Sequence, residues 1–381
     1  MQIDPNSRSR LNSVIQEHRG VLPKVLNVAE TIKGGVATYL AGLSSGEGRI
    51  GCQFSYLIPE SQRKELAVER CYFHSGNRSF IGTFKLMYSL IAIQRQLKAD
   101  IVFAHSTFAG IALCLARPFL GWGIKTVYCP HGWAHFREMS AVKTILVRLV
   151  ERAMSYVPSA VVNISAYEHN SVMAHSFSRC CTLITNAVHD VPDYAPRSAA
   201  GSEEIRVLFV GRMDRQKGID FLFDAISLVG ESSRRDIKFD VVGDSVVDDA
   251  YHVRPDSRNV KYHGWLGRDE ITKLYQSADV LVMPSRWEGF GLCAIEAFRV
   301  GTPVLARRCG ALPDIVSDGF NGYLFDGDGQ DLAAAILRLQ WQELQKMRAN
   351  ARSTFVSRFQ LSFLHDRYKL LFADLLSERW A

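Results

Sequence analysis

The sequence predicts an α/β protein made of two doubly wound domains, each built on a mainly parallel sheet. Three observations carry this. Short apolar strand-like runs alternate with helical segments from residue 24 to about residue 187. A stretch at 186–204 with Pro192, Pro196, Ser198, Gly201 and Ser202 has no period and interrupts them. The alternation then restarts and runs past residue 300. A chain of 381 residues is long enough for two hydrophobic cores.

The elements follow in order. Residues 24–29 (KVLNVA) form a buried strand, Gly34-Gly35 a turn, and Val36–Leu40 the start of a helix. Cys52–Pro59 is strand, Lys85–Leu97 helix, Asp100–Ala104 strand, 107–117 helix and Lys125–Cys129 strand. Val142–Tyr156 is amphipathic and Ala160–Ile164 is strand again. After the interruption come Arg206–Val210 (strand), Gly218–Leu228 (helix), Lys238–Val242 and Val260–His263 (strands), and Glu270–Ser277 (helix). Val280–Met283 (strand), Gly291–Arg299 (helix), Pro303–Ala306 (strand) and a closing helix, Leu361–Trp380, complete the series. The expected domains are 1–187 and 203–360, joined by a linker at 188–202, with 361–381 as a terminal helix. Ligands of open parallel sheets sit at the carboxyl ends of the strands. The expected site is therefore a cleft between the two halves.

Several classes drop out. The first twenty residues hold no apolar segment of the signal-peptide kind. The longest apolar stretch, Ile101–Gly123, is broken by His105, Ser106, Arg117 and Pro118, short of the ~18 clean residues of a membrane span. Eight cysteines are scattered without a CxxC or a zinc-type Cys/His spacing, so they read as reduced and cytosolic. No metal ligand set is expected. A nucleic-acid binder is disfavoured because aromatic residues do not interleave with a basic run. The net charge of +6 is uneven: residues 1–200 hold 21 Lys+Arg against 13 Asp+Glu, and residues 201–381 hold 24 against 26.

Four segments carry candidate chemistry. The strand Val280–Met283 ends at Pro284-Ser285, and Glu288-Gly289-Phe290-Gly291-Leu292 then opens a helix. Glycines let backbone N–H groups approach a ligand, and a helix N-terminus suits a phosphate. Glu296 follows on the second turn, so two carboxylates are placed for two parts of one extended ligand. The second segment is Gly211-Arg212-Met213-Asp214-Arg215-Gln216-Lys217-Gly218, a strand end where Arg212 and Lys217 are placed to converge on a diphosphate and Arg215 is the exposed one. The third is the turn Gly34-Gly35, which is neither a GxGxxG nor a P-loop. The fourth is Pro130-His131-Gly132, where His131 ends a strand and so sits at its carboxyl edge.

Together these residues resemble the retaining glycosyltransferases of family 4, which have the GT-B fold of two Rossmann-like domains facing a cleft. The most specific match is Glu288 through Glu296, the family's E-x7-E element, preceded by Ser285. GRMDRQKG matches its G-R-x4-K-G element, and Leu183–Val188 its segment ahead of the linker. Gly34-Gly35 and Pro130-His131-Gly132 match elements of its N-terminal domain. Gly310-Ala311-Leu312-Pro313-Asp314 departs from its Gly-Gly-x-Pro-Glu element at Ala311 and Asp314.

The resemblance implies a transferase that moves a sugar from a nucleotide-sugar to a glycan with retained anomeric configuration. Arg212 and Lys217 would neutralise the diphosphate leaving group without a divalent metal. Gly211 and the backbone around Gly289, Phe290, Gly291 and Leu292 would hold the diphosphate. Glu288 would contact sugar hydroxyls and Glu296 the ribose. Trp265 and Leu266 lie where the family meets the base, and UDP or GDP is the expected carrier. Gly34 and Gly35 would close over the phosphates, and His131 would hydrogen-bond the donor sugar. No cofactor is implied. The C-terminal helix would cross back to the first domain.

The acceptor side rests on charge and family. Lys143, Arg148 and Arg152 share one amphipathic segment, and Phe119–Gly123 is apolar. With the basic first half, this implies peripheral contact with the cytoplasmic face of an inner membrane and a lipid-linked acceptor. The expected setting is assembly of a capsule, exopolysaccharide or lipopolysaccharide. A solvated face over an ordinary core helix is the competing reading of that segment. Two other functions stay open at this point: a nucleotide-sugar 2-epimerase or sugar-phosphate-accepting synthase of the same fold, and a non-catalytic membrane scaffold.

Overall fold

The structure, a computed structural model, describes residues 22–377 apart from 77, 179, 192–203, 233–235, 246–254 and 256–257. The chain divides into two units, Met1–Val188 with Leu361–Ala381, and His189–Gln360. Most of the expected linker and the last residues of the expected closing helix lie outside the described residues.

The first unit is a seven-stranded parallel sheet in the order β3-β2-β1-β4-β5-β6-β7. Its strands are β1 (Lys24–Ala29), β2 (Gln53–Pro59), β3 (Cys71–His74), β4 (Ile101–His105), β5 (Lys125–Cys129), β6 (Ala160–Asn163) and β7 (Cys181–Leu183). The strands expected from sequence are the central ones, where side chains on both faces are buried: β1 reads KVLNVA with only Lys24 partly exposed. Helix α1 (Gly35–Ser44) follows β1, α2 (Phe80–Leu97) follows β3, α3 (Thr107–Ala116) follows β4, and α4 (Ala141–Met154) follows β5. Sequence order reverses direction between β1 and β4, the kind of position where ligands of open parallel sheets bind, beyond the carboxyl ends of the strands.

The terminal helix α5 (Leu361–Ser377) belongs to this first unit. Leu364, Tyr368, Phe372, Leu375 and Leu376 are buried and recur at helical spacing. The His365 ring bonds Gly42 O at 2.8 Å, and Arg49 makes a two-pronged ion pair with Asp366 at 2.7 Å. Tyr368 meets Tyr39 hydroxyl to hydroxyl. Each fully buried large apolar side chain stabilises by roughly 1.5–3 kcal/mol, so this stripe, rather than the surface Arg49–Asp366 pair, holds the helix.

The second unit is a six-stranded parallel sheet in the order β10-β9-β8-β11-β12-β13. The strands are β8 (Ile205–Val210), β9 (Ile237–Val242), β10 (Val260–Gly264), β11 (Val280–Met283), β12 (Val304–Arg307) and β13 (Gly322–Phe325). Helices α6 (Ile219–Ser232), α7 (Arg268–Ser277), α8 (Leu292–Arg299), α9 (Gly329–Arg338) and α10 (Trp341–Arg358) complete it. The reversal here falls between β8 and β11, which carry the two densest motifs.

Some elements were not anticipated. The edge strands β3 and β7 are short, and all but His74 of their residues are only partly buried, so their sequences lack the apolar run that marks a central strand. The helix Ala166–Ala174, β13, α9 and α10 were also unassigned.

The amphipathic segment differs from an ordinary core helix. On α4, Glu151 and Met154 are the buried residues. Glu151 accepts bonds from Ala134 N at 2.8 Å and from His135 N and Nδ1 at 3.2 and 2.6 Å. Val142, Ile145, Leu146, Leu149 and Val150, spaced i, i+3, i+4, i+7 and i+8, form one stripe on the outer side, 54–69% exposed. Among the described residues, no helix is long and apolar enough to cross a membrane.

Candidate active site

In the second unit the site is made by two strand-end loops. Gly211–Gly218 follows β8, and Pro284–Gly291 follows β11. Backbone and side-chain bonds stitch them together. Arg286 N donates to Gln216 O at 2.8 Å, and the Arg286 guanidinium grips Asp220 at 2.7 and 2.6 Å. Gly218 has φ +66 and a side chain there would run into Pro284 O. The close approach of the loops therefore depends on this glycine.

The product of this stitching is an ion pair. Lys217 Nζ lies 2.6 Å from Glu288 Oε1, and both side chains are mostly buried. Burial opposes the lysine charge, but the Glu288 carboxylate outweighs it and holds the ammonium above its ordinary range. Glu288 is held from the other side by Gly310, which has φ +52 and packs against the Glu288 backbone, and by Ala311 N, which donates to Glu288 O at 3.1 Å. Of the two departures from the family pattern, Ala311 is buried and caps the start of a short helical turn, Leu312–Ile315, and Asp314 is exposed within that turn.

The first turn of α8 presents an open N-terminus. Its N-cap is Gly291, with φ +106 and no side chain to satisfy the free N–H groups. Phe290 is buried and meets Phe359 edge to face at 6.0 Å. Glu296 is half-buried; burial raises its carboxyl pKa, and Tyr275 Oη donates to Oε2 at 3.2 Å. Cys293 Sγ, between them, donates to Val210 O at 3.4 Å and is pushed up to about 12 by burial and the neighbouring Glu296.

Arg212 is exposed, as is Arg215. The Arg212 guanidinium engages its own loop, 2.8 Å from Gln216 Oε1 and 3.2 Å from Asp214 Oδ2. The structure thus brings Lys217 to Glu288 and leaves Arg212 on the rim of the same loop. Gly211 is fixed by its N–H to Val242 O at 3.1 Å. Trp265 is exposed and Leu266 half-buried, just past the end of β10, where His263 Nε2 pairs with Asp240 at 2.6 Å.

In the first unit, Gly34 has φ +75 and caps α1 without a side-chain bond; Gly35 is the first helical residue. His131 follows β5 with φ +54, a conformation that costs energy for a side chain bearing residue. Its Nε2 lies 3.0 Å from His105 Nδ1, and His105 Nε2 lies 3.0 Å from Asn27 Oδ1. Burial pushes the His131 pKa down to about 3 and His105 well below its usual range, with the neighbouring His131 adding to the latter.

Four polar residues around this edge were missed. Asn27 and His105 lie inside strands, and Glu30 and Ser106 directly follow them. Ser106 has φ +95 and donates to Glu30. Burial raises the Glu30 carboxyl to about 7 against the opposing pull of Arg78, 3.4 Å away. The available signal was a polar residue interrupting an apolar strand, as in KVLNVA and IVFAH.

Among the described residues no group of three or more His, Cys, Asp or Glu is placed to hold a metal ion, and all eight cysteines are free.

Comparison with known proteins gives this geometry a family. Residues 204–340 match the family model described as glycosyl transferases group 1, and residues 33–191 match that of glycosyltransferase family 4. An uncharacterized 41.2 kDa protein in the cps region of Klebsiella pneumoniae is 31% identical over 325 residues, 82% of this chain and 88% of that protein. The UDP-Gal:alpha-D-GlcNAc-diphosphoundecaprenol alpha-1,3-galactosyltransferase of Escherichia coli is 26% identical over 378 residues, 88% of this chain and 96% of that protein. Anabaena HepE, solved in complex with UDP-glucose, has the same fold: TM-score 0.73, 18% identity, 92% of this chain and 99% of that one. The chain belongs to glycosyltransferase family 4 and has the GT-B fold.

Proposed function

We propose that this glycosyltransferase moves a sugar from a UDP- or GDP-sugar to a lipid-linked glycan, with retention, in the assembly of a surface polysaccharide. The observation that carries the reading is the Lys217–Glu288 pair beside the open N-terminus of α8. Lys217 and the first N–H groups of α8 supply positive charge where a diphosphate departs, which is electrostatic stabilisation of a leaving group. Arg212, on the same loop, swings from Asp214 to the phosphates. Glu288 is already oriented and holds sugar hydroxyls; Glu296 holds the ribose. His131 offers a ring nitrogen to a sugar hydroxyl. Cations take the role a divalent metal plays elsewhere, so the reaction proceeds in EDTA. Neither a sugar epimerase nor a scaffold is needed to account for this set.

The acceptor class rests on the Escherichia coli relative, whose substrate is a diphosphoundecaprenol-linked sugar, and on α4. Its exposed apolar stripe is flanked by Lys143 and Arg152, with Arg148 beyond. Phe119 and Trp122 are also exposed. An apolar stripe between cations suits the headgroup region of an anionic bilayer.

A thermal-shift screen with UDP, GDP, ADP and their sugar conjugates tests the donor assignment. Binding to the folded state raises the apparent Tm by mass action. A shift with one nucleotide series is expected, and no shift with any of them contradicts the reading.

A further inference from the structure

The carboxyl edge of the first sheet contains a relay of three side chains, Asn27 and His105 buried and His131 partly buried, whose hydrogen bonds can be resolved one at a time. Asn27 is buried on β1, and its Nδ2 is 3.4 Å from Ser55 O on β2. A carbonyl oxygen only accepts, so Asn27 turns its amide nitrogen toward Ser55 and its Oδ1 toward His105. The flipped amide would set two oxygens against each other. Asn27 Oδ1 in turn only accepts, so the proton at the 3.0 Å contact sits on His105 Nε2.

Both histidines are neutral in the folded protein because burial disfavours their charge. A neutral imidazole carries one N–H. With its proton on Nε2, His105 has a bare Nδ1. The 3.0 Å contact from His105 Nδ1 to His131 Nε2 then requires the proton to sit on His131 Nε2. His131 Nδ1 is left bare. Ring packing holds both imidazoles in place: Tyr39 meets His131 edge to face at 4.5 Å, and Phe103 lies 4.0 Å from His105.

We propose that Asn27 and His105 are positioning residues that fix His131 as its Nε2–H tautomer, so that Nδ1 accepts a hydrogen bond from a sugar hydroxyl. This rests on the glycosyl-transfer reading for its substrate but not for its tautomer. It defines the group that meets His131 by chemistry: a hydroxyl or an amide N–H fits, whereas a carboxylate or a fluorine, which only accept, does not. A buried acceptor left without its donor costs binding, which gives the site discrimination.

The test uses the full chain labelled with 15N-histidine, free of ligand. NMR is expected to show His131 with a protonated Nε2 and an unprotonated Nδ1. A proton on Nδ1 overturns the proposal, whether or not transfer is ever observed. Two variants separate positioning from bulk structure. His105→Phe removes the acceptor and is expected to mix the His131 tautomers and lower kcat about tenfold or more, by analogy with partners that orient metal-bound histidines. His105→Asn places an amide oxygen near the lost Nδ1 and is expected to restore one tautomer and most of kcat. Wild-type kcat in a folded His105→Phe variant contradicts the proposal. A wild-type enzyme that transfers no sugar contradicts the functional reading instead and leaves the NMR result standing.

Discussion

Lys217 and Glu288, 71 positions apart, meet at 2.6 Å because the loops after β8 and β11 are drawn together at the point where the sheet reverses. The Glu288 carboxylate holds the Lys217 ammonium charged in a mostly buried place. Removing one strands the other. Lys217→Ala is therefore expected to destabilise the protein by about 3–5 kcal/mol, the cost of orphaning a buried charge. It should also lower kcat by roughly 100- to 1,000-fold, the scale for loss of one pre-placed donor. Denaturant titration and steady-state kinetics read the two effects separately. Glu288→Gln, which keeps a hydrogen-bond acceptor, should cost less stability than Lys217→Ala.

Gly310 makes a sharper structural test. It has φ +52, and a methyl group there would collide with the Glu288 backbone. Gly310→Ala is expected to cost more than the roughly 1–3 kcal/mol of the strained conformation alone. Gly319 has φ +73 and open space around it, so Gly319→Ala should cost only the conformational part. Equal losses in urea titrations of the two variants would refute a packed Gly310.

The carboxyl edge of the first sheet is expected to show a pH signature through Glu30. Its folded pKa of about 7 lies above the ordinary 4.5 because of burial. The folded state therefore binds more protons than the unfolded one between these values, and stability falls as pH rises from about 4.5 to 7. Glu30→Gln removes this dependence. The variant should gain on wild type by on the order of 3 kcal/mol between pH 4 and pH 8. A constant difference across that range would contradict the raised pKa.

The sequence carried the architecture because parallel central strands are apolar throughout and are separated by helical periods. It did not carry β3 and β7, whose edges face solvent. The motif spacing placed Lys217 and Glu288 in loops, but only the strand order brings them together, since β8 and β11 are neighbours in space and not in sequence. Asn27, Glu30, His105 and Ser106 were invisible for a related reason. Each reads as an ordinary strand or turn residue until its partner is known, and His105 bonds a residue 78 positions away. Arg212 illustrates the reverse case. The motif named it correctly as part of the loop, yet its guanidinium engages Asp214 and Gln216.

The outer face of α4 yields a membrane prediction. Ile145→Glu with Leu149→Glu puts acids into the exposed stripe. Stability should change by less than about 1 kcal/mol, since both side chains are largely exposed. Sedimentation with vesicles rich in phosphatidylglycerol should fall several-fold, and raised salt should weaken wild-type binding. Unchanged sedimentation would remove α4 from the membrane contact.

The most direct test of transfer with retention, driven by protein cations, is the anomeric signal of the product. A UDP- or GDP-sugar that gives a thermal shift is incubated with the protein, a lipid-diphosphate sugar acceptor and EDTA, and the new anomeric proton is followed by NMR. The expected product has the α-linkage from an α-linked donor, forms in EDTA, and is lost in Lys217→Ala. A product of inverted configuration, or transfer abolished by EDTA and restored by a divalent metal, would contradict the account.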